Sequence, residues 1–220
     1  STFAYRVWRQ RWENLPHEAE VHFDEGTSAL ELGEFDSAKR KLGIAAHDFE
    51  LLGIDDERAR NARQLADEAA ILADRASRTL EEIVEEAARY DPPEQWPSRF
   101  ETIYRGQAVI VDSEVETEPD HSPFKSYELT YRIFVGRPPG RRGRIDLKGF
   151  KLFETLRPVK SQRVLFGARL ASLTLDGNEW VVGLEPDSGV IMTRQKALEK
   201  TDWTPLAEEP NQGGKGGGQP

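Results

Sequence analysis

Residues 87–118 read AARYDPPEQWPSRFETIYRGQAVIVDSEVETE, and the rhythm of burial changes within them. Up to Tyr90 apolar residues recur every three or four positions, the spacing of one helix face, and Pro92 and Pro93 then end the pattern. Past Trp96 the period becomes two: Val109, Val111 and Val115 point one way, and Asp112, Glu114, Glu116 and Glu118 the other, as on a half-buried strand. The switch predicts an α+β protein. A helical bundle domain is expected over 1–93, a β domain over 101–205, and a flexible Gly-rich tail over 206–220.

Working back from the switch, Ala19, Phe23, Gly26, Leu30 and Gly33 line one helix face, and Phe35, Ala38, Leu42, Ala45, Phe49 and Leu52 a second, ended by Gly53. The short turn between them predicts an antiparallel helical hairpin. Asp55-Asp56-Glu57 opens a third pattern in which Ala62, Leu65, Ala69, Leu72, Ala76, Leu80, Ile83 and Ala87 keep the same steps, so a single long helix is expected up to Tyr90. Its seam serves equally for packing on the hairpin or for pairing two chains, which leaves monomer and dimer both open. Ahead of the hairpin, Phe3, Val7, Trp8 and Trp12 sit at helical spacing among Arg6, Arg9 and Arg11. That segment reads as an extra helix capping the bundle in preference to a membrane-surface anchor.

Gly26, Gly33, Phe35, Ala38, Leu42 and Ala45 fall at the spacings of the tetratricopeptide repeat, and residues 19–52 resemble one such hairpin. The resemblance implies close crossing at the small positions and a protein-binding role. His22, Glu25 and Glu50 depart from the repeat's preferences, and no second copy follows to make an array.

Working forward, Tyr127, Leu129, Tyr131, Ile133 and Val135 alternate cleanly, a strand surrounds Ile145 and Leu147, and another runs from Val164 to Leu173. Asp176-Gly177-Asn178 turns the chain into Trp180, Val182 and Leu184. Residues 150–163 form a short helix or an irregular crossing, and Gln195 to Lys200 a helical turn. Three strands, a crossing and a final hairpin resemble the OB-fold, a small antiparallel five-stranded barrel, although other small β-barrels share the pattern.

The chain has 220 residues and a net charge of -9. All of that acidity lies in residues 1–100, with 13 Lys/Arg against 22 Asp/Glu, whereas Lys125 to Arg169 carries 12 cations against Glu128, Asp146 and Glu154. The absence of cysteine excludes disulfides, thiolate metal sites and cysteine nucleophiles. His17 and His22 are five apart, where two helical ligands of one metal are normally four apart, so no metal is expected there, nor any cofactor. The carboxylates Glu114, Glu116, Glu118 and Asp120 share one strand face, a poor arrangement for an acid/base pair, and Ser188-Gly189 lacks the elbow of a serine hydrolase. No catalytic set emerges, and a non-enzyme is expected.

Two binding roles remain. The first is a protein-interaction, scaffold or adaptor function, with an unidentified protein partner. The second is a single-stranded nucleic-acid-binding module whose basic face carries Arg132, Phe134, Arg141, Arg142, Arg144 and Lys148, with cations for phosphates and an aromatic for a base. The same cations would otherwise dock on the acidic helices. No apolar stretch nears the ~20 residues of a membrane helix, so a cytoplasmic protein is expected; the chain opens with Ser1, which leaves room for an upstream segment.

Overall fold

The computed structural model describes residues 2–119, 125–130, 133–135 and 141–203. Helices α1 (Thr2–Leu32), α2 (Phe35–Leu51) and α3 (Glu57–Ala73) pack in sequence. Gly33 turns the chain between the first two in a left-handed conformation, φ +83°. Gly26 lets them cross closely, because a Cβ there would lie 2.7 Å from Leu42 Cγ. Ala19, Leu30, Ala38, Leu42 and Ala45 are sealed in the contact. The expected hairpin is present, but its first helix is longer than the pattern from Ala19 implied: the Trp-rich N-terminal segment continues into α1 instead of forming a separate cap.

The single long helix expected to Tyr90 is two helices. α3 ends at Ala73, and α4 (Leu80–Arg89) begins with a capping box in which the Thr79 hydroxyl accepts from the Glu82 amide and the Glu82 carboxylate from the Thr79 amide. Between them Asp74 to Ala76 bonds to Ala108 in both directions, 2.8 and 2.9 Å, as an extra bridge at the start of the sheet. All eight residues of the predicted stripe are buried, but they serve two cores. Ala62 to Leu72 pack with α1 and α2; Ala76 to Ala87 pack with the sheet, alongside Trp96 and Phe100 of α5 (Trp96–Ile103). Both parts of the seam are thus covered within one chain.

The second half is a mixed sheet: β1 (Ala108–Thr117), β2 (Glu128–Leu129), β3 (Ile133–Val135), β4 (Arg141–Asp146), β5 (Arg163–Asp176), β6 (Glu179–Leu184) and β7 (Val190–Ile191). Its order is β2-β1-β5-β6-β4-β3, with β7 on β5. β4 runs parallel to β6, so the sheet is not wholly antiparallel as expected, and among the described residues it does not close. The crossing 150–163 contains α6 (Lys151–Leu156), whose Phe153 packs with Phe150 on Phe166 at centroid distances of 5.4 to 5.8 Å.

Contacts from Ile71, Glu68 and Asp74 help tie α3 to the sheet and the C-terminal segment. A Cβ on Gly167 of β5 would meet Ile71 Cγ2 at 2.3 Å, so helix and strand touch where only glycine fits. Glu68, with no exposed surface, accepts from the Thr193 hydroxyl (2.6 Å), the Thr193 and Arg194 amides (2.9 and 3.1 Å) and Gln64 (3.0 Å). These amides precede the short α7 (Gln195–Leu198), and the buried carboxylate fixes that segment onto the bundle. At the C-cap of α3, Asp74 receives Lys39 (2.8 Å) and Arg169 (2.7 Å). Burial raises its carboxyl, but the two cations outweigh burial and hold it below the usual range.

A half-buried carboxylate, Glu86 of α4, gathers Arg99 (2.5 Å), Arg78 (3.1 Å) and the Tyr104 hydroxyl. Burial pushes Glu86 up, but the donors from Tyr104 and Arg99 win and hold it below 4.5. Burial, and then the bond to Glu86, push Tyr104 up to about 12.

Glu68→Ala is expected to cost about 2–4 kcal/mol, because it strands two amides and a hydroxyl, and a shifted urea midpoint at unchanged slope would show it. Gly167→Ala should cost about 1–3 kcal/mol by overpacking, and pairing it with Ile71→Ala should cost less than the two changes added; strict additivity would mean the contact is not tight. For Glu86, whose folded pKa is depressed, stability is present above the ordinary value of 4.5 and lost as pH falls through the folded pKa. For Tyr104 the loss runs the other way, from pH 10 up to about 12. Urea midpoints followed across pH should therefore show Glu86→Gln weakening the acid arm and Tyr104→Phe the alkaline arm.

Candidate functional site

The sequence singled out six residues. Arg132 lies outside the described residues; Phe134 falls in β3 and Arg141 and Arg142 in β4, with side chains that are likewise outside them. Arg144 and Lys148 are exposed and share one cleft of about 710 Å³, between β2 and the segment from β4 to Lys148. The structure brings these two together with Lys125, Tyr127, Glu116, Glu128, Asp146 and Glu179.

The cleft follows from the strand pairing. β2 pairs with β1 on one edge, and β4 with β6 from Arg142 to Asp146 and with β3 only as far as Gly143. Leu129 of β2 and the Arg144–Asp146 half of β4 lie on either side of the cleft without a ladder joining them among the described residues. Leu129, Ile145 and Leu147 bury their side chains at its base, with the charged residues around the rim.

Its electrostatics are mixed. Three cations, Lys125, Arg144 and Lys148, stand among four carboxylates. Arg144 Nε donates to Glu179 at 3.0 Å with both side chains partly exposed, a pair of little net strength. Asp146 accepts from the Lys148 amide at 3.1 Å and so shapes the turn after β4. Tyr127, the aromatic of the rim, sets its ring edge-on to Phe153 at 5.3 Å and joins the core beneath. Burial foremost, and then Glu118, raise its hydroxyl above 10.0.

Among the described ion pairs, the cations of the wider basic stretch mostly find their partners inside the β half. Lys151 pairs with Asp187, Arg163 with Asp112 and Arg144 with Glu179, all inside the β half, while Arg157 and Lys160 are exposed. Arg169 alone of the stretch reaches a helix among the described ion pairs, at Asp74. The acidic helices find cations on their own neighbours instead: Arg58 with Glu20 and Asp24, and Lys41 with Glu25 at 2.6 Å.

One residue was misread. Asp112, expected on the solvent face, is 6% exposed and accepts from Nε and Nη2 of Arg163, at 2.8 and 2.7 Å. Its partner lies 51 positions away, and no local spacing announces that. Of the carboxylate run, Glu114 and Glu118 are exposed and Glu116 is half-buried, while Asp120 lies outside the described residues. His17 and His47 are exposed on α1 and α2, and His22 is half-buried. No helix among the described residues is long and apolar enough to cross a membrane.

No protein-family model, curated protein or solved structure matches this chain. Fold analogy therefore adds nothing, and the chemistry of the site is the guide to function.

Proposed function

We propose that this protein is a non-catalytic interaction module that binds an extended segment of a partner protein in the cleft between β2 and β4. The observation that carries the reading is the pair of strand edges facing each other across that cleft without a ladder. An extended peptide can lie along one such edge and pair with its backbone, and side-chain pockets supply selectivity. Apolar residues at the base and charges of both signs on the rim suit a segment with alternating apolar and charged residues.

β2 ends at Leu129 and β3 begins at Ile133, the one paired with β1 and the other with β4. Taken as one bent strand, they complete a ring with β1, β4, β6 and β5, an OB-like arrangement in which the cleft lies on the face of the second and third strands. Such a face also serves nucleic acid, and the solvent-facing Arg144 and Lys148 favour that second reading. Two features favour protein. Four carboxylates among three cations oppose a phosphate chain, and Tyr127 is committed to the core where a base would need a free ring.

Selection from a displayed library of random peptides is expected to enrich segments that alternate apolar and charged residues. Binding of a selected peptide should fall about tenfold in Leu129→Asp and severalfold in Arg144→Glu. Amide exchange should slow at 125–130 and 143–148 when the peptide is bound. A chain that enriches no peptide, but grips an oligo(dT) strand with an affinity that collapses as salt is added, would transfer the site to nucleic acid.

A further inference from the structure

β5 outruns its neighbour. β1 pairs with it only from Arg163 to Arg169, and from Ser172 to Asp176 it has β6 on one side and, among the described residues, no strand on the other. α5 lies against that open length instead, and the Trp96 indole donates to the Leu173 carbonyl at 3.3 Å. The cover is incomplete. A cavity of about 430 Å³ remains, with Leu173, Leu175 and Trp180 of the β5–β6 hairpin on one side and Ala88, Tyr90 and Trp96 on the other. Here the apolar core reaches the surface: Leu173 and Trp180 are nearly sealed, while Leu175 is 42% exposed. Tyr90 and Trp96 meet edge to face at 5.7 Å, so the helical wall is aromatic and held in place.

The charges that line this cavity have one sign. Glu94 and Glu101 both line it and are exposed, and no cation joins them among the described residues. Glu94 enters no ion pair among those residues. Glu101 takes Arg105 at 2.7 Å, but both side chains are more than half exposed, and a pair so placed has little net strength. Arg99 sits over the Tyr90 ring at 5.5 Å and is bound to Glu86 at 2.5 Å, which neutralises it. The other polar lining groups, the Ser172 and Thr174 hydroxyls, are able to accept. Such a rim repels an anion and gives a neutral apolar molecule no advantage over a cationic one.

We infer that this cavity binds a small organic cation, its apolar body between Leu175 and the Tyr90–Trp96 wall and its ammonium group at Glu94 and Glu101. Burial of the body supplies the affinity, as in other small apolar pockets, and the two carboxylates fix the sign of the head group. Aromatic ring faces attract a cation as well. This site is separate from the cleft at Arg144 and Lys148, and it stands whether or not that cleft takes a peptide.

Naphthylmethylamine, naphthylmethanol and naphthoate carry one apolar body with a positive, a neutral and a negative head, and they serve as probes. Titrated calorimetrically into the full chain at neutral pH and matched ionic strength, the amine should saturate and bind about tenfold more tightly than the alcohol, with naphthoate weakest. Glu94→Gln and Glu101→Gln should each weaken the amine severalfold and leave the alcohol unchanged; both positions are exposed, so the fold is not at risk. Arg144→Glu, which impairs the peptide cleft, should leave amine binding as it was, so the two sites fail separately. The Leu175 methyl resonances, identified by their loss in Leu175→Ala, should shift when the amine is added to the unmodified protein. The inference is overturned if the amine does not saturate by about 10 mM, if the alcohol or naphthoate binds as tightly, if the doubly substituted Glu94→Gln, Glu101→Gln chain holds the amine undiminished, or if the Leu175 methyls stay still.

Discussion

The arrangement of the molecule rests on the final two turns of α3, which have to lie against β5 and the C-terminal segment at once. Gly167 sets the distance: with Ile71 in the space that a side chain on β5 would fill, helix and strand meet at backbone range. That approach brings Glu68 out of water, and a carboxylate buried there is tolerable only because Thr193 and Arg194 turn their donors toward it. It also places Asp74 between Lys39 of α2 and Arg169 of β5, so one carboxylate addresses both halves. Charged groups cannot supply the drive for this docking. They fix which face of α3 is presented, since any other rotation would leave Glu68 without partners.

The same helix explains why the sequence was legible up to a point. The stripe from Ala62 to Ala87 was read correctly as buried, because periodicity reports burial; it does not report which core receives each residue. Leu72 and Ala76 are four positions apart, one helical step, yet they sit in different cores with an extended segment bonded to Ala108 between them. The break was written locally, in Thr79-Leu-Glu-Glu82, a capping box within an otherwise helical rhythm. Strand positions such as Val109, Val111 and Val115 were equally legible, since alternation against solvent is a local property. The parallel partnership of β4 with β6, and the pairing of Asp112 with Arg163, were not, because each joins residues more than thirty positions apart.

Charge polarisation, the most visible feature of the sequence, proves to have two separate solutions. A net acidic helical half beside a basic stretch invites the idea of two complementary faces in contact. Instead the acids of α1 are met mainly by Arg58 and Lys41 from the adjacent helices, and of the cations from β4 onward Arg144, Lys151 and Arg163 are met by carboxylates of the β half, while Arg169 and Lys196 reach Asp74 and Glu31. Local pairs win because neighbouring helices bring Arg58 and Asp24 together at 2.6 Å without ordering any further chain. The candidate residues Arg144 and Lys148 are left at the surface for that reason. Their function is then set by what else lines the cleft, and there the sequence offered no warning, since Glu116, Glu128 and Glu179 come from three different strands or strand ends.

A very short piece of chain joins the cleft to a neighbouring cavity of about 570 Å³ beside Arg75. Leu129 lines the cleft and Thr130 lines the cavity at Arg75, while β1 contributes Glu116 and Thr117 to the first and Val109 to Ser113 to the second. Between those stretches the pairing of β1 with β2 shifts register at Val115 and Thr117, so the strand pair is least regular where the cleft and the cavity come closest. The Thr130 amide bonds to the Glu114 carbonyl at 2.9 Å and its hydroxyl lies by Ser113, which anchors the end of β2 to the floor of the Arg75 cavity.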